Sequence, residues 1–182
     1  YAAFLHANYG KGAAPPAAIR RQIRIAAYDR PHYLREVIDH LKQCENLDRF
    51  RIVGSVDQRP DGTHNSEVVA ILREVTSDIR LRPRLDCNAH THLNLSELAA
   101  EADWGFLLED DIVLSRGALT WCLEHEAELL ERADSISLIG EPLQRADRRR
   151  DESFVKDYFN AWGTYFSAAG LKKALALWEP AW

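Results

Sequence analysis

Residues 104–111 read Trp-Gly-Phe-Leu-Leu-Glu-Asp-Asp, an apolar run that ends in three adjacent carboxylates, Glu109, Asp110 and Asp111. At the end of a buried strand such groups repel one another, and a cation relieves the repulsion. Carboxylate oxygens suit hard or borderline ions such as Mg²⁺ and Mn²⁺, which commonly bridge to a diphosphate. No histidine or cysteine adjoins the triplet, which disfavours zinc. One carboxylate suffices to cap a following helix, so three in a row point to a charge that must be held.

Two other polar groups follow apolar runs. Asp29 and Arg30 come after Ile23–Tyr28, where Arg30 either covers a sheet edge or meets an anion. Asp57 opens the turn-rich loop Asp-Gln-Arg-Pro-Asp-Gly after Phe50–Val56, and Asp61 competes with it for any ligand contact there. His64 is expected at the surface and His125 in a local pair. The run Arg148-Arg149-Arg150 resembles a phosphate grip, but Asp147, Asp151 and Glu152 flank it and neutralise it. Trp162 and Tyr165, beside Gly163, suit either sugar stacking or core packing. The chain contains neither GxxxxGK[ST] nor GxGxxG, so P-loop and dinucleotide-binding readings lose their main supports.

Positioning these groups requires alternating strands and helices. Strands are predicted at Ile23–Tyr28, Phe50–Val56, Ile79–Leu81, Trp104–Leu108, Ser135–Ile139 and Trp162–Phe166. Asp29 suits an N-cap and Pro31 a first helical turn. Leu34, Val37, Ile38 and Leu41 then recur at helical spacing. Further helices are predicted over 65–75, with Val68, Leu72 and Val75 on one face, and over 92–102, with Leu95, Leu98 and Ala102 inward. The longest is predicted over 116–133, where Glu126 interrupts an apolar stripe, and a last one spans Ala169–Trp178. Residues 144–157 are expected to form a charged loop. This alternation predicts an α/β domain with a mostly parallel central sheet flanked by helices. Ligands of such sheets bind at the carboxyl ends of strands, so the three polar loop ends are expected to converge.

The segment FLLEDDIVLSRGAL resembles the metal-binding segment of glycosyltransferases with the GT-A (Rossmann-like) fold. Its Glu-Asp-Asp form is similar to that of the N-acetylglucosaminyltransferase I family and its relatives. IRIAAYDRPHYLREVIDHL, FRIVGSVDQRPDG, SISLIGEP and AWGTYFSAAGLKKAL resemble further family segments in the same order, covering roughly residues 23–178. The resemblance implies that Asp111 coordinates Mn²⁺ or Mg²⁺, that Asp110 faces the ribose or donor, and that Glu109 contacts the donor sugar. It likewise implies that Asp57, or its competitor Asp61, reads a uracil ring, and that Arg30 approaches the diphosphate. It places Asn94, with His92 as neighbour, where relatives carry a polar donor-binding side chain. The implied activity is transfer of a sugar from a nucleotide-sugar, a UDP-sugar, to a glycan or other acceptor hydroxyl, with inversion. The family's aspartate base falls about where this chain ends. Glu179 and Asp157 are therefore the candidate bases, unless the base lies outside the chain. The alternatives are a non-catalytic nucleotide-sugar-binding or partner module and a sugar-phosphate nucleotidyltransferase. The latter needs a glycine-rich basic loop after the first strand, and Asp29-Arg30-Pro31 is not one.

Composition sets outer bounds. The 182 residues, 46% hydrophobic and 28% charged, suffice for one globular core. Residues 1–22 are expected to be a flexible entry to a domain spanning 23–182. The net charge of −5, concentrated in the second half, argues against a nucleic-acid partner. No apolar run approaches the ~18 residues of a membrane span. Cys44, Cys87 and Cys122 form no pairing pattern and are expected to be reduced and mostly buried. A cytoplasmic setting is expected, or a Golgi lumen if the piece was excised from an anchored enzyme. The chain contains no methionine, so it is expected to be part of a longer or processed protein.

Overall fold

The computed structural model describes residues 18–129, 135–137 and 163–178. In chain order the elements are β1 (Arg21–Ala27), α1 (Pro31–Leu41), a 3₁₀ turn (Leu47–Arg49), β2 (Arg51–Val56), α2 (Ser66–Leu72) and β3 (Ile79–Leu81). There follow α3 (Cys87–Glu101), β4 (Trp104–Glu109), α4 (Ala118–Leu129), β5 (Ser135–Ser137), β6 (Thr164–Ser167) and α5 (Ala168–Ala176).

The strands form one sheet in the order β3-β2-β1-β4-β6-β5. The first four are mutually parallel, whereas β6 runs antiparallel to both β4 and β5. Ala26 lies opposite Ser55 of β2 and Glu109 of β4, so three carboxyl ends are level. The chain steps from β1 outward through β2 to β3, then returns across β1 to β4. That reversal opens a crevice at the strand ends, where parallel sheets bind ligands.

Both faces of the sheet are covered. Ile23, Ile25, Phe106 and Leu108 face a core completed by Leu34, Ile38 and Leu41 of α1, Val68 and Leu72 of α2, and Leu119 and Cys122 of α4. The opposite face packs Ala26, Leu107 and Phe166 against Leu95, Leu98 and Ala99 of α3 and Leu171 of α5. Alternate residues of β1 and β4 thus serve opposite layers, as pleating requires.

Several expectations need correction. Asp29 does not cap α1: Arg30 holds the N-cap position without a side-chain cap bond, and Pro31 opens the helix. α3 begins at Cys87, five residues before the predicted start, because Asp86 caps it by accepting a bond from Ala89 N at 2.7 Å. α3 has 15 residues, and α4 is described from Ala118 to Leu129, so residues 130–133 of the predicted 116–133 helix lie outside the described residues. Val75 lies beyond the end of α2. Residues 1–17, 130–134, 138–162 and 179–182 lie outside the described residues, and with them the arginine run, Trp162, Asp157 and Glu179.

The face of the sheet beneath α3 carries a charge. Arg24, in the central strand, is fully buried. Its guanidinium donates to Glu97, to Glu101 at 3.2 Å and to Gln22 Oε1 at 3.1 and 3.2 Å. Arg80 of β3 joins the same two glutamates, and Arg82 reaches Glu97 at 2.5 Å. Bonds from Arg80 hold the Glu101 carboxyl down to about 2, against the opposing effect of burial.

Two measurements follow. A Cβ at Gly105 would lie 2.5 Å from the Gln22 carbonyl oxygen, a backbone atom, and 2.5 Å from Leu98 Cδ1. Gly105→Ala is expected to cost about 1–3 kcal/mol of stability in urea unfolding, as overpacking does. Gly117→Ala meets nothing within 4 Å and serves as the neutral comparison. Because Glu101 is depressed in the folded state, its stabilisation is present above the ordinary carboxylate range and is lost as pH falls towards about 2. Unfolding measured at pH 7 and pH 3 should show a smaller pH-dependent loss in Glu101→Gln than in the parent. Equal losses would remove Glu101 from the network.

Candidate functional site

A cavity of about 370 Å³ opens at the level carboxyl ends of the parallel strands. Its floor and one side are Ala26, Ala27 and Tyr28 at the end of β1, with Arg30 just beyond. Asp57 and Gln58 enter from the end of β2, and Glu109 and Asp110 from the end of β4. The far wall is Arg84 and Leu85, before α3, together with Cys87, His90 and Thr91 of its first turns. The predicted convergence of three loop ends is therefore observed, and a fourth segment joins them.

The walls are tied to one another. Asp57 Oδ1 accepts from its neighbour Gln58 N and from Leu85 N, both at 2.9 Å, which fixes the far wall to β2. Its Oδ2 accepts nothing from the described residues. Asp29, freed from capping, accepts from Asn65 Nδ2 at 2.6 Å and Arg59 Nε at 2.9 Å, bracing the loop after β1 against the loop after β2. The bond from Arg59, and then that from Asn65, hold its carboxyl below the usual range. His90 lies against Ser55, with Nε2 2.9 Å from Oγ, and Arg82 Nε donates to the same hydroxyl at 3.2 Å. Burial lowers the His90 pKa, which favours a neutral imidazole.

The acidic triplet divides by burial. Asp110 is buried, with a side chain only 4% exposed. Its Oδ1 accepts from Arg30 Nη2, while its Oδ2 is buried without a partner among the described residues. Asp111 is exposed and accepts from Arg30 Nη1 at 2.9 Å. It does not line the cavity itself but is linked to it through Arg30. Glu109 is pushed up by burial and by the charges of Asp111 and Asp110.

The donor set bears on a cation. Among the described residues no three carboxylate, histidine or cysteine side chains gather closely enough to hold an ion alone. One or two carboxylates, with substrate phosphates supplying the rest, is nevertheless the manner in which Mg²⁺ is commonly held. An orphaned carboxylate oxygen lining a cavity suits that arrangement.

Besides Asp111, two expected site residues are absent from the cavity lining. Asp61 is exposed and accepts from Thr63 N at 2.9 Å and Thr63 Oγ1 at 2.7 Å, closing a turn completed by Gly62 at positive φ. Asn94 is fully buried in α3, donates to the His90 carbonyl at 2.8 Å, and its Oδ1 has no partner among the described residues. His92 packs its ring against Trp178. Tyr165 is core: it stacks on Trp104 and is fully buried, so sugar stacking is excluded for it. Its hydroxyl donates to Glu126, which also takes both bonds from Arg21, at 2.6 and 2.5 Å. The interruption in the α4 stripe is thus a buried ion pair. His64 is half-buried, its Nε2 2.8 Å from the Arg82 carbonyl, and His125 bonds the Trp121 carbonyl at 2.7 Å.

Sequence reasoning missed the far wall and Tyr28. The available signal was Asp86, an N-capping residue just before Cys87. It moves the start of α3 back and brings Cys87, His90 and Thr91 to the strand ends.

No protein-family profile and no curated protein sequence matches the chain. Solved structures do. S. aureus TarS 1-349 in complex with UDP has a TM-score of 0.59 at 14% identity, over 86% of this chain and 49% of that one. The same protein with UDP-GlcNAc gives 0.59 at 13%, over 86% and 47%. The mannosyltransferase PcManGT from Pyrobaculum calidifontis, in complex with GDP-Man and Mn²⁺, gives 0.50 at 16%, over 72% and 39%. The chain therefore has the α/β fold of glycosyltransferases and spans about half or less of the length of these neighbours. No helix among the described residues is long and apolar enough to cross a membrane.

The three cysteines are free but not alike, since Cys44 and Cys122 are buried and Cys87 is exposed in the cavity wall. Burial also raises the pKa values of Cys44 and Cys122, leaving both as unreactive thiols. Titration with a chromogenic disulfide reagent under native conditions should therefore find one fast thiol per chain. Cys87→Ser should abolish it. A fast thiol persisting in that variant would place the reactive group elsewhere.

Proposed function

We propose that the chain is the nucleotide-sugar-binding part of a glycosyltransferase that moves a hexosyl or N-acetylhexosaminyl group from a UDP-sugar to an acceptor hydroxyl, with inversion. One observation carries this reading: Asp57, Arg30, Glu109 and Asp110 converge on one cavity at the strand-order reversal. The fold shared with proteins solved with UDP, UDP-GlcNAc and GDP-Man supports it.

The cavity divides by chemistry. Asp57 offers a free carboxylate oxygen, and Leu85 and the exposed ring of Tyr28 offer apolar surface, so this end suits a nucleobase. A uracil presents one ring N–H to such a carboxylate. Arg30 and Arg84 flank the space and suit a diphosphate. Asp110 and Asp111 are the residues that would hold Mn²⁺ or Mg²⁺, and Glu109 reaches towards the donor sugar. A metal held there would supply charge stabilisation for the departing diphosphate. A carboxylate on the acceptor side takes the proton from the attacking hydroxyl. Glu179 and Asp157 are the proposed candidates in this chain, and both lie outside the described residues. A reducing, cytoplasmic compartment suits the three free thiols.

Titration calorimetry with UDP and with GDP, each with and without Mn²⁺, tests this reading. UDP is expected to bind with Mn²⁺ present and GDP to bind more weakly. Asp57→Asn should weaken UDP by about tenfold, the scale of one lost charged hydrogen bond. Asp111→Ala should abolish the metal-dependent part while the circular dichroism spectrum stays unchanged. No binding of UDP under any condition would sink the function. UDP affinity unchanged in Asp111→Ala would remove that residue from the site.

A further inference from the structure

Arg30 has an unusual set of partners for its place in the chain. It is the N-cap residue of α1, yet its side chain makes no bond to that helix. Its guanidinium instead crosses the sheet edge to the triplet, one nitrogen on Asp110 Oδ1 and the other on Asp111 Oδ2 at 2.9 Å. It also lies over the Tyr33 ring, 5.6 Å from the centroid. Among the described residues it is the one cation paired with the triplet.

That position conflicts with a metal. Mg²⁺ takes oxygens at ~2.0–2.1 Å, closer than any guanidinium nitrogen approaches, so ion and arginine cannot share the same lone pairs of Asp110 and Asp111. The orphaned Asp110 Oδ2 shows that the arginine leaves the buried carboxylate only half satisfied. Arg30 is also 45% exposed at its side chain and itself lines the cavity. Its flexible stem can therefore present the guanidinium to the carboxylates or to an anion in the cavity. A free metal ion must evict Arg30 into water. A metal arriving with a diphosphate gives the displaced guanidinium a new bidentate anionic partner.

We propose that Arg30 is a resident counter-cation for Asp110 and Asp111 that the nucleoside diphosphate draws away, so that metal and diphosphate bind cooperatively. This rests on the function proposed above and adds the device that couples its two ligands. Coupling of this kind is reciprocal: the factor by which UDP tightens Mn²⁺ equals the factor by which Mn²⁺ tightens UDP.

The test measures Mn²⁺ by its electron paramagnetic resonance signal, with and without UDP, in the parent chain and in Arg30→Gln. The parent should hold Mn²⁺ weakly alone and more than tenfold more tightly with UDP, within the usual range of such couplings. Arg30→Gln should bind Mn²⁺ alone about tenfold more tightly, because its competitor is gone, and should lose most of the coupling. Arg30→Lys retains a charge but cannot fork both carboxylates. It should lie between the two, and it carries the same comparison if Arg30→Gln does not fold. Unchanged or weaker binding of Mn²⁺ alone in both variants overturns the proposal while leaving the function standing. A parent chain that binds neither UDP nor Mn²⁺, even together, overturns the function and the proposal with it.

Discussion

A fully buried guanidinium in the central strand governs how the layers sit. An ion in the interior is tolerated only when its hydrogen-bonding capacity is filled and its charge is matched. Arg24 meets that condition by drawing Glu97 and Glu101 of α3 onto the sheet. Those residues lie four apart and so project from one side of the helix. The helix can satisfy Arg24 only at one rotation and one height, which also sets its first turns. Cys87, His90 and Thr91 consequently arrive at the strand ends, where they form the far wall of the cavity. Arg82 extends the same network from Glu97 to Ser55, the hydroxyl that meets His90. An ionic contact beneath the helix and the shape of the cavity beside its N-terminus are thus one arrangement.

The opposite face solves a different problem. There Glu126 is the buried charge, and Arg21 and Tyr165 complete it. Burial and the neighbouring Glu126 both raise the Tyr165 pKa, so the phenol stays a donor. This triad joins α4, β1 and β6, and it anchors the antiparallel strand that extends the sheet beyond β4. The acidic triplet stands just past the other end of the same β4 strand. Its carboxylates cannot all relax into solvent, because β4 delivers Asp110 into the interior. The three loops around the cavity are consequently held by side chains of opposite charge: Asp29 with Arg59 between the first two, and Arg30 with Asp110 and Asp111 across the reversal.

What was legible in the sequence was whatever depended on local period. The four apolar residues of α1 are all buried, β3 spans its predicted residues, and the parallel core follows from alternating elements. The body of α3 was legible from Leu95, Leu98 and Ala102, but its start was not, because Cys87-Asn-Ala-His-Thr91 carries no apolar period and only the Asp86 cap marks it. The partners of its glutamates were not legible, because Glu97 and Glu101 face Arg24 rather than solvent. Glu126 interrupts the α4 stripe for the same reason, since Arg21 and Tyr165 meet it inside. Asp29 looked like a cap because it stands two residues before Pro31, yet Arg59 and Asn65, thirty and thirty-six residues away, claim its carboxylate. Asp57 and Asp61 were indistinguishable as loop acids, and the structure separates them by what each accepts. Leu85 donates to one oxygen of Asp57, and the other accepts nothing from the described residues, whereas Asp61 is spent on Thr63.

The structural neighbours sharpen how far fold alone reaches. At 13–16% identity, what they share with this chain is the course of the backbone. Such a course fixes where a crevice opens and which loop ends border it, but not the charges placed there. The chemistry must be argued from this chain's side chains, and the most informative are those left incomplete. A buried carboxylate oxygen without a donor, as in Asp110, is costly and persists only where something compensates it. Arg30 compensates the other oxygen of that carboxylate and stops short of this one. Asp57 and Asp110 follow β2 and β4, on either side of β1, each with one carboxylate oxygen that accepts nothing from the described residues, and they line one cavity with Arg30 and Arg84. A ligand that donates a hydrogen bond at one place, carries negative charge at another and brings a cation to a third answers all three. A nucleoside diphosphate with its metal has that pattern of charge, which is why the proposed function rests on the site rather than on the fold by itself.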